Sequence, residues 1–357
     1  MTSQERIETI FDGGVPDRVG IHDTAWGTTL ERWRREGLPE GVAPLDYLGV
    51  NDIVKIGGDD SLRFPIQVLE EGEDYRVYVD NNGVTRKDLN PGGGWTPHWL
   101  DYTIKDRSTW EQHKYRLAYD DARLRENALD VYRHARQEGK YVMYSGHACF
   151  HPIWHWIGQV NEFIWMAEQP ELIQEMFGAF AQLVIDIYEG YKGKGITFDG
   201  AFMADDMAYR NGTLFSNAMY REMVFPFHKR ICDHMTADRL SVTLHSDGDI
   251  REFIPMVIEA GFRGLHPLEA KVGLDVGELK RDYGDRLGLH GNIDVRALAT
   301  TKETIEEEIR NKLTAAKQGG GYIYHSDHSV PDDVSFENYT FAIEMVKKYG
   351  SYDPIPG

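Results

Sequence analysis

The sequence is poor in cysteine, in positive charge and in long apolar runs. It has only Cys149 and Cys232 among 357 residues, which excludes a disulfide framework and a cysteine-rich zinc site. Its 39 Lys and Arg against 58 Asp and Glu give a formal net charge of −19, so we expect neither a nucleic-acid nor a membrane partner. No apolar run can span a bilayer, and the first residues show no signal-peptide pattern. We therefore expect a cytoplasmic protein.

Short apolar segments alternate along the chain with segments of helical period. Hydrophobic residues make up 41% of the chain, enough for a large core. Strand-like segments that end in His, Asp, Glu or Asn lie at 141–147, 198–206, 240–250, 262–269, 287–294 and 322–328. This alternation predicts an α/β fold, a (β/α)8 TIM barrel, with its chemistry gathered at the carboxyl ends of the strands.

Two segments are expected to lie outside the barrel repeat. Thr2 and Glu5 have the spacing of a capping box, which predicts a helical N-terminal extension. Residues 75–87 alternate in polarity, turn at DNNG and return, which predicts a β-hairpin. The hairpin and the Gly/Pro-rich loop after it form an insertion at about residues 70–100. We predict a single domain across residues 1–357.

The stretch LSVTLHSDGDI at residues 240–250 carries the first candidate for a metal site. Its β-branched and apolar residues predict a strand that ends near His245. His245 and Asp247 are two residues apart, so in an extended chain their side chains point to the same side. A neutral imidazole and a carboxylate on one side can hold a divalent metal. The alternative is a His–Asp hydrogen bond that closes a loop.

A second group of histidines follows the strand at residues 141–147. His147, His151 and His155 are spaced four apart, which suits metal ligands if the segment is helical. Pro152 and the neighbouring aromatic residues favour the wall of a pocket instead. We therefore expect a pocket wall here.

Several stretches together resemble the uroporphyrinogen decarboxylase superfamily. They are ERIETIFDGGVPDRV, ADDMAYRNGTLFS, LHSDGDI, GLHPLEAKVGLDVGELKRDYGDRLGLHGNIDVRAL and GGGYIYHSDHSVPDDVSFENY. The resemblance runs nearly end to end, is strongest from residue 199 to 339, and implies a (β/α)8 barrel. The superfamily holds two chemistries: cofactor-free decarboxylation of a tetrapyrrole, and zinc-dependent methyl transfer to or from a corrinoid protein.

The decarboxylase branch is the weaker match. Its members carry an arginine-rich RQAGR stretch near the amino end that binds substrate carboxylates. The comparable region here reads GIHDTAWGTTLERW and lacks the arginine pair. A polyanionic substrate also fits poorly with the net charge of −19. We rank tetrapyrrole decarboxylation as the alternative function.

The methyltransferase branch matches with changed metal ligands. Members that act with coenzyme M bind zinc through H-x-C and a later Cys after the last strand. Where those members have H-x-C, this chain has His245-Ser246-Asp247. Where they have the later Cys, it has His328 or Asp327. Members that demethylate aryl methyl ethers use Glu, Glu and His, and Glu269 with His328 suits a variant of that set. The resemblance thus implies a metal site of His245, Asp247, Glu269 and His328.

The change of ligands has a chemical consequence. Imidazole and carboxylate ligands donate less charge to zinc, or to another divalent metal, than thiolates do, so the metal stays more positive. A more positive metal is better suited to polarising an ether oxygen. We therefore predict a methyltransferase that moves a methyl group from a small methoxylated compound, an aryl methyl ether, to the cobalt of a corrinoid partner protein. The third hypothesis is a non-catalytic barrel that binds a small molecule. The sequence does not decide the oligomeric state, and a homodimer is one alternative.

The same rim is expected to hold an apolar pocket and acid–base groups. The expected substrate-binding residues are Trp26, His147, Phe150, Trp154 and Phe202. For each aromatic residue among them the alternative is ordinary core. The expected catalytic residues are Asp205, Asp206 and His290. The two aspartates suit a proton donor or a support for the metal ligands, and their alternative is capping of the next helix.

Overall fold

The computed structural model describes residues 1–89 and 97–352. Part of the insertion predicted at 70–100, residues 90–96, lies outside the described residues. The strands are β1 (Gly20–Ile21), β2 (Ile53–Gly57), β3 (Gln67–Glu71), β4 (Tyr75–Val79), β5 (Val84–Leu89), β6 (His98–Tyr102), β7 (Tyr141–His147), β8 (Gly200–Ala204), β9 (Ala208–Tyr209), β10 (Gly212–Thr213), β11 (Ser241–His245), β12 (Gly264–His266), β13 (Gly288–His290) and β14 (Tyr322–Tyr324).

The helices follow the strands in the predicted alternation. They are α1 (Ser3–Phe11), α2 (Gly27–Arg35), α3 (Pro44–Tyr47), α4 (Arg107–His113), α5 (Ala128–Gln137), α6 (Phe150–Ile157), α7 (Gln159–Glu168), α8 (Pro170–Gly193), α9 (Asn217–Met219), α10 (Phe225–Ala237), α11 (Ile254–Ala260), α12 (Val276–Tyr283), α13 (Val295–Leu298), α14 (Lys302–Ala316) and α15 (Phe336–Gly350). None of these helices is long and apolar enough to cross a membrane.

Eight parallel strands form one curled sheet in the order β1-β14-β13-β12-β11-β8-β7-β2. Asp52 joins the two ends of this order, because its backbone N–H donates to the Ile21 carbonyl at 2.9 Å. Its buried carboxylate also accepts the Ile21 N–H at 2.8 Å. The predicted TIM-barrel fold is confirmed.

The N-terminal extension covers the amino end of the barrel. Helix α1 begins with the predicted capping box of Thr2 and Glu5. Its Ile7 and Ile10 are buried against residues of the barrel interior, and Phe11 lies beside the first residues of β12 and β13. Burying these apolar side chains closes one end of the barrel and leaves the carboxyl end for the site.

The insertion is larger than the predicted hairpin. Strands β4 and β5 form that hairpin, with Tyr75 opposite Leu89 and Val79 opposite Thr85. Strands β3 and β6 flank it in a four-stranded antiparallel sheet. All five residues of β3 are exposed, so this sheet adds little to the barrel core.

Candidate metal centre

Five acidic and histidine side chains meet at the carboxyl ends of four barrel strands. Asp206 follows β8, His245 is the last residue of β11, Asp247 follows β11, Glu269 follows β12 and His328 follows β14. Neighbouring parallel strands bring their carboxyl ends to one rim, which is why residues far apart in sequence converge. These five residues are called the carboxylate–histidine centre below.

The centre consists of two overlapping groups of three potential ligands. One is Asp206, His245 and Asp247, and the other is Asp247, Glu269 and His328, with ligand atoms within 4.8 Å of one another in each. His245 Nε2 lies 3.6 Å from Asp206 Oδ1 and 3.8 Å from Asp247 Oδ1. His328 Nε2 lies 3.8 Å from Asp247 Oδ2. The four ligands expected from the resemblance lie together, and Asp206 joins them.

The backbone around Asp247 fixes the arrangement. The Asp247 N–H donates to Asp206 Oδ1 at 2.9 Å, and the Gly248 N–H donates to Glu269 Oε2 at 3.0 Å. Gly248 has a φ of +86°, and a Cβ at this position would lie 2.5 Å from the backbone of Ala208 and Tyr209. Only glycine fits this turn, so the sequence Asp247-Gly248 aligns three of the carboxylates.

Asp206 is held in its charged form. Burial alone would raise the pKa of its carboxyl, but His151 and His245 outweigh burial and lower that pKa. His151 Nδ1 lies 3.1 Å from Asp206 Oδ2. A carboxylate that stays ionised is a good metal ligand and a poor proton donor. This geometry favours Asp206 as a ligand over the expected role of proton donor.

The hydrogen bonds of His245 prepare its Nε2 for a metal. His245 Nδ1 lies 2.7 Å from His266 Nδ1, so one of the two rings donates to the other. When His245 donates, its Nε2 carries the lone pair and faces the carboxylates. Burial lowers the pKa of His266, which keeps that imidazole neutral. Histidine ligands commonly use their second nitrogen in this way.

The donor set fits a divalent metal. Asp247 Oδ1 is buried and has no hydrogen-bond partner among the described residues. An unpartnered buried carboxylate oxygen is costly, and a cation beside it removes that cost. Imidazole nitrogen and carboxylate oxygen suit zinc and other metals that accept N/O ligands.

Asp205 is not part of this centre. It is fully buried, and its oxygens accept N–H groups at the start of α6 from Cys149, Phe150 and His151. His228 Nε2 lies 2.7 Å from Asp205 Oδ2. Asp205 therefore caps α6, a helix that precedes it in the chain, whereas the alternative to its expected catalytic role was capping of the next helix.

The third group with metal-ligand spacing is a structural cluster. It consists of Cys149, Asp205 and His228, all buried. Burial raises the pKa of the Cys149 thiol well above its ordinary value, so the sulfur stays protonated. His228 Nδ1 also pairs with the Tyr220 hydroxyl at 3.0 Å. With its ring nitrogens and carboxylate already paired, this cluster does not need a metal.

His290 lies behind the centre. It is buried, and its ring centroid is 4.6 Å from that of His266, 5.3 Å from His325 and 5.4 Å from His22. Burial lowers the pKa of His290 well below its ordinary value. It does not line the cavity beside the centre, so this position gives no support to its expected catalytic role.

A cavity of about 310 Å³ lies beside the centre. It is lined by Thr24, Lys55, Phe202, Ala204, His245, Asp247, His266, Pro267, His325, His328 and Ser329. The ring of Phe202 lies 5.8 Å from the ring of His245. The ring of Trp26 meets that of His328 edge-on at 5.5 Å. Two of the expected substrate-binding residues thus lie against metal-ligand candidates, and of these two only Phe202 lines the cavity.

The other three expected substrate-binding residues lie elsewhere. His147 is half exposed and pairs with Asp60, 2.8 Å from Nδ1 to Oδ2. Phe150 is fully buried and packs on Phe177 and Phe215. Trp154 packs on His151, with ring centroids 4.5 Å apart. None of the three lines the cavity, and Phe150 is ordinary core.

The expected pocket wall is in fact a helix. Pro152 lies in the first turn of α6, where its missing N–H breaks no helical hydrogen bond. His151 and His155 share one face of this helix, with ring centroids 4.8 Å apart, while His147 remains on β7. Only His151 of the three reaches the centre.

Lys55, His266 and His325 line the cavity but were not among the residues expected from the sequence. His266 and His290 end two successive strands with the same letters, GLH, and that repetition was the available signal. A lysine inside the apolar segment IVKIG was the signal for Lys55. Lysine is rarely buried without a partner.

The chain matches the family model described as Uroporphyrinogen decarboxylase (URO-D) over residues 158–349. The uroporphyrinogen decarboxylase of Carboxydothermus hydrogenoformans is 25% identical over 193 residues, 54% of this chain and 52% of that protein. That of Methylococcus capsulatus is 33% identical over 75 residues, 21% of each chain. The chain thus spans about half the length, or less, of these curated relatives.

One solved structure shares the fold over nearly the whole chain. It is a methyltransferase from Methanosarcina mazei, with a TM-score of 0.66 and 14% identity over 98% of this chain and 99% of that chain. At this identity the likeness is one of fold. The family model, by contrast, covers more than half of the chain and includes all five residues of the carboxylate–histidine centre. The protein therefore belongs to the uroporphyrinogen decarboxylase family.

Proposed function

We propose that this protein is a metal-dependent methyltransferase that moves a methyl group from an aryl methyl ether to the cobalt of a corrinoid protein. The observation that carries the proposal is the ligand chemistry of the centre, which offers three carboxylates and two imidazoles. Both cysteines are buried in the α6 and α10 regions and neither belongs to the centre. The methyltransferase fold of the Methanosarcina mazei structure is consistent with the proposal.

The metal ligands of the centre favour a substrate whose methyl group is bound to oxygen. A metal bound by imidazole and carboxylate supplies a Lewis acid that stabilises negative charge on an ether oxygen as its methyl group leaves. A methylated thiol would favour a softer site with thiolate ligands. A quaternary amine has no lone pair to bind. The preferred donor is therefore a methyl group on oxygen.

The residues of the chain position the reactants. Asp247 lies 3.8 Å from both His245 and His328, and all three residues line the cavity. Phe202 and Trp26 supply aromatic surface beside these ligands. The corrinoid of the partner would accept the methyl group, and the electron pair of the broken C–O bond would stay on the ether oxygen, which leaves as a phenolate. Because Asp206 remains ionised, it cannot protonate that phenolate.

Tetrapyrrole decarboxylation is the second candidate, and it rests on the names of the curated relatives. A cavity of about 310 Å³ is at the lower end of the ~300–1,000 Å³ range of small-molecule sites. That volume suits a single aromatic ring better than four pyrroles. Lys55 is also the one cationic side chain among the residues that line it.

A donor panel tests the proposal. Purified protein loaded with zinc is offered methoxybenzoates, methoxyphenols, methylamines and methylthiols with cob(I)alamin, and methylcobalamin is followed by absorbance. We expect methyl transfer from the aryl ethers. Transfer confined to methylthiols or methylamines would reject the ether donor. Decarboxylation of uroporphyrinogen without any methyl transfer would establish the second candidate instead.

A further inference from the structure

Lys55 lies in the cavity without a counter-ion. It is the middle residue of β2 and its side chain reaches the barrel interior, where Nζ lies 4.1 Å from the centroid of the Phe202 ring. No carboxylate of the described residues forms an ion pair or a hydrogen bond with it. In a chain with a net charge of −19, an unpaired lysine on an enclosed surface is unusual.

The surroundings of Lys55 are positive or neutral. His22, His266, His290 and His325 all have a lowered pKa, first because of burial, and the charge of Lys55 lowers each pKa further. Asp247 is the one acidic residue among those that line the cavity, and its ion-pair partners are His245 and His328. The cavity therefore combines residues of the candidate metal centre with a lysine that pairs with no carboxylate of the described residues.

His266 adds a second potential donor to the lining of the cavity. When its Nδ1 accepts from His245, the proton of this neutral ring resides on Nε2. His266 Nε2 is buried and has no hydrogen-bond partner in the part of the chain that the structure describes. A buried N–H without an acceptor costs free energy, which a bound anion would recover.

Phe202 lies beside both Lys55 and His245. The centroid of its ring lies 4.1 Å from Lys55 Nζ and 5.8 Å from the centroid of the His245 ring. Lys55, His245 and His266 line the same cavity of about 310 Å³. A benzene ring that carries a carboxylate and a methoxy group offers one group to the ammonium and the other to the metal ligands.

We propose that Lys55, with the His266 N–H, binds the carboxylate of a methoxybenzoate whose ether oxygen lies at the carboxylate–histidine centre. This inference rests on the proposed function and narrows its donor from aryl methyl ethers in general to those that carry a carboxylate. Burial lowers the pKa of Lys55 to about 8, which leaves the ammonium mostly protonated at pH 7.

Calorimetric titration of the zinc-loaded protein tests the anion site without the corrinoid partner. We expect 4-methoxybenzoate to bind roughly 10- to 100-fold more tightly than its neutral analogue 4-methoxybenzamide, the value of one charge-assisted hydrogen bond. Lys55→Met should remove this preference, and Lys55→Arg should keep part of it. Lys229→Met is the control, because Lys229 is exposed on α10 and pairs with Asp233; it should bind like the wild type.

The outcomes separate this inference from the proposed function. Equal affinity of the wild type for acid and amide, absence of binding to the acid, or an unchanged preference in Lys55→Met would overturn the anion site. Melting temperatures show whether each variant is folded. The comparison of acid with amide in the wild type does not depend on any variant, so it tests the anion site even if a Lys55 variant does not fold. Carboxylate-dependent binding without methyl transfer from any donor would leave the anion site standing and reject the methyltransferase.

Discussion

Asp247 lies 3.8 Å from each of two histidines through different oxygens, with Oδ1 facing His245 Nε2 and Oδ2 facing His328 Nε2. This carboxylate belongs to both groups of potential ligands. It therefore connects residues from β11 and from the chain after β14, the two parts of the barrel that supply the imidazoles. A centre organised around one shared carboxylate is expected to hold one ion.

The first prediction concerns metal content. The protein should hold about one divalent ion per chain, and His245→Ala, His328→Ala and Asp247→Asn should each weaken its binding. We expect losses greater than the ~10–100-fold that follows removal of a ligand's outer hydrogen-bond partner, since a ligand itself is removed. Elemental analysis and competition with a chelator measure this.

The matched control is His134→Ala on the exposed surface of α5, where the side chain is 73% exposed. It should keep the wild-type metal content. Full metal content in both His245→Ala and His328→Ala would show that the ion, if any, lies elsewhere.

The second prediction concerns Asp205 as a structural residue. Asp205→Ala removes the acceptor for three N–H groups of α6 and leaves His228 buried without its partner. We expect the free energy of unfolding to fall by about 2–4 kcal/mol, measured by urea denaturation. Asp282→Ala, at an exposed position of α12, should change it by less than about 0.5 kcal/mol. A stable Asp205→Ala variant that has lost only its activity would favour the catalytic role instead.

The third prediction concerns acid stability at the amino end of the barrel. Burial would raise the pKa of Asp17, but the hydrogen bonds and charge of Arg6 outweigh it and lower that pKa to about 2. A carboxyl whose pKa is lower in the folded state adds stability above its unfolded value of 3.8 and loses it as the pH falls towards 2. Asp17 is 37% exposed, so solvent screening reduces the effect to about 1 kcal/mol.

Unfolding of Asp17→Asn should therefore differ from that of the wild type at pH 7 and converge with it on acidification. Asp130→Asn, at a position 83% exposed, should show no such difference. A gap between Asp17→Asn and the wild type that widens as the pH falls from 5 to 3 would contradict the assignment.

The barrel and most of the centre could be predicted from the sequence. His245, Asp247, Glu269 and His328 each follow a predicted strand, and parallel strands bring such positions to one rim. The roles of Asp205 and Asp206 could not be separated, because neighbours at a strand end point in opposite directions. The sequence does not tell which of the two belongs to the carboxylate–histidine centre.

A related reason explains why Lys55 and His266 were not predicted to line the cavity. Strands of a parallel barrel are buried on both faces, so their sequences show no alternation that marks the interior side. The lysine in IVKIG and the repeated GLH make Lys55 and His266 unusual in sequence, but neither pattern shows which side of its strand the residue faces. Phe150 and Trp154 were expected in the pocket because aromatic residues are common there, but α6 directs Phe150 into the core and Trp154 onto His151.

The most direct test is the metal dependence of methyl transfer from oxygen. Protein stripped with a chelator is mixed with 4-methoxybenzoate and cob(I)alamin, zinc is titrated in, and the rate of methylcobalamin formation is measured. Our account predicts no transfer by the stripped protein and a return of activity that saturates near one zinc ion per chain. Full activity in the stripped protein, or no transfer from any methoxy donor at any zinc level, would contradict it.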